Sequence, residues 1–105
     1  MPTMTRPRTE LQSLLEGILD SPNVYFQPPP SFKLHYPCII YDRNTYASVF
    51  ADNESYLRRT RYSLTLIDKN PDSMFVSAIA DIPYCQHTRS YISDNLNHDV
   101  YDLYW

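Results

Sequence analysis

The chain has 105 residues, of which 43% are hydrophobic and 20% are charged, and its formal net charge is −3. This length and composition predict one globular domain over residues 1–105, near the lower size limit for an independent core. The acidic balance argues against nucleic acid or an anionic membrane as the main partner, and no apolar run approaches the ~20 residues of a membrane-spanning helix.

The N-terminal segment, residues 1–8, lacks the apolar centre of a secretory signal. The first predicted element is an amphipathic helix over residues 9–20. Its apolar residues recur at i, i+3, i+4, i+7 and i+8: Leu11, Leu14, Leu15, Ile18 and Leu19. Thr9 with Gln12 fits a capping box, and Pro22 closes the segment. We expect the apolar stripe to pack on a sheet, because a lone helix of this length is marginal in water.

Two strands are predicted before the middle of the chain. Residues 23–27 form a short strand, and residues 28–30 are three prolines that form a stiff extended spacer. Residues 35–42 form a second strand, whose apolar centre indicates burial on both faces. Residues 43–55 show neither the repeat of a helix nor the two-residue alternation of a strand clearly. We interpret them as a long loop or as an arm that extends the two flanking strands.

The clearest strand pattern covers residues 56–68. Its residues alternate so that Leu64 and Leu66 share one face. The opposite face takes Arg61, Ser63 and Thr65. This alternation is typical of a strand with one buried face.

A short helix over residues 74–82 follows, with Asp72 or Ser73 as its cap, and strands are predicted at residues 84–92 and 100–105. Because the chain has a single glycine, we do not expect tight two-residue hairpins of the Asn-Gly kind. The order of elements predicts an α+β fold, with a mostly antiparallel sheet packed against an N-terminal helix and a second short helix.

One candidate for chemistry is a zinc site made of His35, Cys38, Cys85 and His87. It would require the strands that carry the two pairs to be neighbours. Alternation puts Cys85 and His87 on one face but His35 and Cys38 on opposite faces, and neither spacing is that of a usual zinc pair. Core cysteines and surface histidines are the other interpretation, and we expect no metal and no cofactor.

A second candidate is nucleophilic catalysis by Cys38 or Cys85 with His98 and Asp99. The sequence contains no glycine-rich elbow or oxyanion loop, and a single glycine also excludes a phosphate-binding loop. We therefore do not expect an enzyme.

A third candidate is a basic and aromatic surface, in which Tyr56 and Tyr62 flank Arg58, Arg59 and Arg61. Such a surface could bind nucleic acid. It could equally be a solvated strand face or a donor of salt bridges between subunits, and the acidic net charge favours these two interpretations.

The leading helix and four phrases, NVYFQPP, YPCIIYDRN, RYSLTLIDKNPDS and YISDNLNHDVYDLYW, together resemble the small tail-completion proteins of long-tailed bacteriophages. More narrowly, the chain resembles the tail terminators encoded in the head–tail module of phages of Gram-positive hosts. The resemblance runs from about residue 9 onward and rests on element order and strand phrases, not on a catalytic motif.

The resemblance implies a virion protein of the phage neck, assembled from copies made in the host cytoplasm. Such a protein forms a hexameric ring that caps the tail tube, stops its growth and joins it to the head-closure and connector proteins. DNA passes through the lumen without sequence-specific binding, and no cofactor or reaction is implied. The second helix is short for such a fold, which leaves a head-closure or adaptor neck protein as an alternative. A small metal-binding or hydrolytic domain is the alternative from another class.

Under this resemblance, residues 43–55 and 56–62 reach a neighbouring subunit. Ten tyrosines agree with this, since tyrosine is enriched at interfaces, although it also favours strands. The predicted interface residues are Tyr46, Phe50, Tyr56, Arg58, Arg59, Arg61, Tyr104 and Trp105. The alternative is that these aromatic residues belong to the subunit's own core, and for Tyr62 we expect the core.

Overall fold

The computed structural model describes the backbone of residues 7–51 and 54–105, and the side chains of residues 7–43 and 60–105. Its elements are α1 (Arg8–Leu19), β1 (Val24–Phe26), β2 (Cys38–Ala51), β3 (Glu54–Asp68), α2 (Phe75–Ala80), β4 (Cys85–Ser93) and β5 (Leu96–Tyr104). The strands form one sheet in the order β1-β2-β3-β5-β4. β1 is parallel to β2, and the other three pairs are antiparallel. The predicted α+β fold is confirmed.

The core lies between the two helices and one face of the sheet. From α1 it takes Leu11, Leu15 and Leu19, whereas Leu14 is 38% exposed, so the apolar stripe of the helix is narrower than predicted. The sheet contributes Ile39, Tyr41, Tyr62, Leu64, Leu66, Tyr101 and Leu103. Each fully buried leucine or isoleucine contributes roughly 1.5–3 kcal/mol to folding. Both the packing of the helix on the sheet and the core position of Tyr62 are confirmed.

The start of α1 differs from the prediction. Its N-cap is Pro7, with no side-chain capping bond, so the capping box of Thr9 and Gln12 is wrong. The Gln12 side chain faces the sheet instead, where its Nε2 donates to the carbonyl of Val24 at 2.9 Å. The hydroxyl of Tyr41 donates to Gln12 Oε1 at 2.5 Å. Gln12 therefore joins the helix to β1 and β2.

The first turn of the short helix α2 is held by two side-chain contacts. The N-cap of α2 is Met74, with no side-chain capping bond, so the prediction of Asp72 or Ser73 as the cap is wrong, although the Phe75 N–H donates to Ser73 Oγ at 3.3 Å. From the sheet, the hydroxyl of Tyr101 donates to the carbonyl of Val76 at 3.1 Å. Burial is the main cause that raises the pKa of Tyr101, which extends to higher pH the range over which this hydroxyl can donate.

The hairpin between β4 and β5 corrects a second prediction. Its two turn residues, Asp94 and Asn95, have φ values of 54° and 63°, as a tight type I′ turn requires. Such hairpins were not expected in a chain with one glycine. They are possible because Asp and Asn tolerate the left-handed region better than other residues with side chains do.

Residues 43–55 do not form a loop within the described backbone. β2 and β3 remain paired from Cys38–Ile67 to Ala51–Glu54, with register shifts near Asn44 and after Val49. β1 pairs with β2 only as far as Tyr41, and β5 pairs with β3 only from Arg61. Residues 46–51 and 54–59 thus form a two-stranded ribbon beyond the five-stranded part of the sheet, and we call this ribbon the arm. The molecule measures 46 × 23 × 23 Å.

Candidate subunit interface

The root of the arm is fixed to the body by Trp105. The backbone N–H of Trp105 donates to the carbonyl of Thr60 at 3.0 Å, and its indole Nε1–H donates to the carbonyl of Pro7 at 3.1 Å. Trp105 is 4% exposed and Thr60 1% exposed. This corrects the predicted place of Trp105 in a subunit interface, because its ring already packs in the core of its own subunit.

Arg61 and Tyr104 lie together at the same root, on the sheet face opposite the helices. Arg61 Nη2 is 2.9 Å from Asp102 Oδ2, and the Arg61 guanidinium carbon lies 5.9 Å from the centre of the Tyr104 ring. The hydrogen bond to Asp102 and its charge raise the pKa of Arg61. Arg61 therefore has an acidic partner within its own subunit, whereas the sequence led us to expect one across a subunit boundary.

Five predicted interface residues fall on the arm, and their side chains lie outside the described residues. The backbone places two of them on β2 and three on β3. They are Tyr46, Phe50, Tyr56, Arg58 and Arg59. The register sets Arg58 opposite Ser48 and Arg59 opposite Ala47. One ribbon thus brings together most of the residues predicted to contact a second subunit.

The arm is the part of the described sheet that receives the least support from its own subunit. A two-stranded ribbon is at best marginally stable by itself in water. Within the described backbone, neither of its outer edges pairs with a third strand, and such edges are templates for pairing with another strand. The arm is therefore the candidate functional site of this chain.

The strand order contradicts the zinc alternative. Cys38 begins β2 and Cys85 begins β4, and β3 and β5 lie between these strands. Three strand spacings amount to roughly 14 Å, too far for ligands that bind zinc at about 2.0–2.3 Å. Across the residues that the structure describes, there is no group of three or more His, Cys, Asp or Glu side chains that could hold a metal ion.

The thiol nucleophiles considered above are not assembled either. Burial is the main cause that raises the pKa of Cys38 to about 12 and that of Cys85 to about 11, and a protonated thiol is a poor nucleophile. Cys85 pairs with Leu103, five residues along β5 from His98, which is roughly 17 Å. Cys38 is separated from His98 by β3.

The structure contains a polar cluster that the sequence reasoning missed. Ser90 Oγ donates to Asp99 Oδ1 at 2.5 Å, and His87 Nε2 lies 3.1 Å from each of these two atoms. In a catalytic Ser-His-Asp relay the carboxylate holds Nδ1 and leaves Nε2 to the serine, whereas here both groups meet Nε2. The cluster links β4 to β5. Only the register set by the Asp94–Asn95 turn would have revealed it.

No helix within the described ranges is long and apolar enough to cross a membrane. Comparisons with protein-family models, with curated proteins and with solved structures gave no match for this chain. We therefore infer its function from the arm, the open strand edges and the sequence phrases.

Proposed function

We propose that this chain is a structural virion protein of the neck of a long-tailed bacteriophage. In this proposal it is a tail terminator, a ring that caps the tail tube and joins it to the head–tail connector. The arm is the observation that supports the proposal. A ring-forming subunit must reach its neighbour, and the arm extends two strands beyond the part of the sheet that its own subunit completes.

The charge of the chain fits a ring through which DNA moves. With a net charge of −3, its field does not attract phosphate groups strongly, and DNA can pass through the lumen without being bound. The partners in this proposal are other copies of the chain, six to a ring as in the family it resembles, with the tail-tube protein on one side and head-closure proteins on the other.

The experiment that tests the proposal is electron microscopy of phage particles that lack the gene. Overlong tails are the expected result, because nothing then stops the growth of the tube. Tails of normal length beside heads that have lost their DNA would contradict termination and favour the alternative of a head-closure or adaptor protein.

A measurement on the purified protein complements this experiment. The mass in solution, alone and with tail-tube protein, is expected to correspond to a ring that binds the end of the tube. A protein that is monomeric at every concentration and ignores the tube would contradict both neck functions.

A further inference from the structure

One outer strand of the sheet, β4, is an open edge with exposed apolar side chains. All nine residues of β4 except Cys85 are exposed. Ile92 is 73% exposed and Tyr91 41% exposed, and Tyr84, directly before the strand, is 63% exposed. Proteins usually protect a long edge strand with lysine, proline or a cover. β4 contains neither lysine nor proline, but it carries one charged residue, Arg89, and a register shift between His87 and Arg89. Its least protected stretch is therefore Ser90–Ser93, which contains the exposed Tyr91 and Ile92.

The opposite edge of the sheet is built differently. β1 has three residues, with Pro22 before it and prolines 28–30 after it. Proline lacks the N–H that a strand ladder needs. A strand from another chain could therefore pair with more residues at β4, which has nine, than at β1, which has three.

The arm and the β4–β5 hairpin also differ in charge. The hairpin, residues 85–104, carries three acidic residues and one basic residue, a net charge of −2 with neutral histidines. Residues 46–59 carry two acidic and two basic residues, a net charge of zero, and the basic pair, Arg58 and Arg59, is at the end of the arm nearest the body. Opposite charges on two surfaces steer their encounter and fix the register of the contact.

We propose that the β4 edge of one subunit binds the arm of the next subunit as an added strand. This inference rests on the proposed ring and names the contact that closes it. Each subunit then offers one arm and accepts one arm, so the contact joins two different surfaces. A contact of that kind closes into a ring when its rotation allows.

Strand addition suits the geometry of β4. Backbone hydrogen bonds supply affinity, and side chains on alternate sides supply specificity. Tyr91 and Ile92 are consecutive and therefore point to opposite faces of the sheet. Tyr91 stacks on His98, with ring centres 4.6 Å apart and an angle of 13° between the rings. An added strand would cover an apolar side chain on each face at this end of β4.

The test compares variants of the full chain by their mass in solution. Ile92→Lys places a charge on the edge, and Met74→Lys is its control, because Met74 is 78% exposed but lies outside β4. Arg58→Ser combined with Arg59→Ser removes the positive charge of the arm and introduces no negative charge that would attract the new lysine of the edge variant. Thermal unfolding of each variant establishes that it is folded, which we expect for substitutions at exposed or arm positions.

We expect Met74→Lys to assemble like the natural chain, and the edge variant and the arm variant each to be monomeric. Mixed in equal amounts, these two variants should form dimers and stop there. The edge variant still has a natural arm, which can bind the natural β4 edge of the arm variant. The two surfaces that remain, the altered edge of the first and the altered arm of the second, should not bind each other or a further copy.

Each other outcome counts against a definite part of the proposal. If Ile92→Lys or the arm variant assembles as fully as Met74→Lys, or if the mixture remains monomeric, the docking inference is wrong while the ring function stands. If the natural chain itself neither assembles nor binds tail tubes at any concentration, the proposed function fails and the docking inference fails with it.

Discussion

The hydroxyl of Tyr41 donates a hydrogen bond to Gln12 Oε1 at 2.5 Å and accepts one from Arg8 Nη1 at 2.9 Å. Tyr41 itself is 0% exposed. One buried oxygen thus connects β2 to two successive turns of α1. The packing of the helix on the sheet therefore combines apolar burial with a directional contact that fixes where the helix lies.

We expect Tyr41→Phe to lower the free energy of unfolding by about 0.5–1.5 kcal/mol, because the substitution removes the hydroxyl that bonds the half-buried side chains of Gln12 and Arg8. Urea denaturation followed by circular dichroism would measure this. Tyr91→Phe, at an exposed ring, should change the stability by less than about 0.5 kcal/mol. Equal effects of the two substitutions would contradict the structural role of the Tyr41 hydroxyl.

We expect Trp105→Ala to lower the free energy of unfolding by about 3–5 kcal/mol, the usual cost of truncating a buried tryptophan. It removes the core contacts of the ring and the bond to the Pro7 carbonyl. Ile92→Ala, at a 73% exposed position, should be nearly neutral in the same chemical denaturation experiment. A Trp105→Ala protein as stable as the natural chain would show that this ring is not part of the core.

We expect Asn95→Gly to raise the free energy of unfolding by up to about 1 kcal/mol. Asn95 has a φ of 63°, a region that glycine adopts without steric cost. Ser93→Gly, in the adjacent strand β4, should instead destabilise the protein, because glycine there adds only chain entropy to the unfolded state. The melting temperatures of the two variants should therefore shift in opposite directions, and a shared direction would contradict the assigned turn.

We expect the two thiols of the folded protein to react slowly with iodoacetamide at pH 8 and rapidly once the chain is unfolded in urea. Burial raises the pKa of Cys85 from 9.0 to about 11 and that of Cys38 from 9.0 to about 12. The thiolate is the reactive form. Mass spectrometry of the alkylated protein checks this, and equal rates in folded and unfolded protein would contradict the burial.

The same shifts predict a loss of stability at alkaline pH. A thiol whose pKa is higher in the folded state binds its proton more tightly there, so its full contribution is present below pH 9.0 and is lost as the pH rises towards about 11. Unfolding free energies measured from pH 8 to pH 11 should therefore fall. The fall should be smaller in Cys85→Ala, and an identical pH profile for this variant would contradict the linkage.

Features encoded by nearby residues were predictable from the sequence. The alternation around Leu64 and Leu66 identified the buried face of β3, because a strand repeats every two residues. The capping box failed because Gln12 has partners in β1 and β2, which are distant in the sequence. Trp105 was assigned to an interface for a similar reason, since its contacts with Thr60 and Pro7 exist only after the chain has folded.

The arm is an intermediate case. The sequence offered a loop or an extension of two strands for residues 43–55, and the choice depends on pairing between β2 and β3, which no local pattern encodes. The same holds for the β4 edge, because the position of a strand in a sheet follows from topology. The exposure of Tyr84 and Ile92 became meaningful only once β4 was known to be an outer strand.

The three-residue strand β1, bounded by prolines, has a consequence for solubility. An endless cross-β ribbon grows only if every molecule accepts a strand at both outer edges of its sheet. If β4 of one molecule paired with β1 of the next, the three residues of β1 would allow only a few backbone hydrogen bonds. A ribbon made by such pairing would therefore be weakly held at every contact between molecules. The short, proline-bounded β1 therefore disfavours fibre growth by stacking of the outer strands of successive molecules.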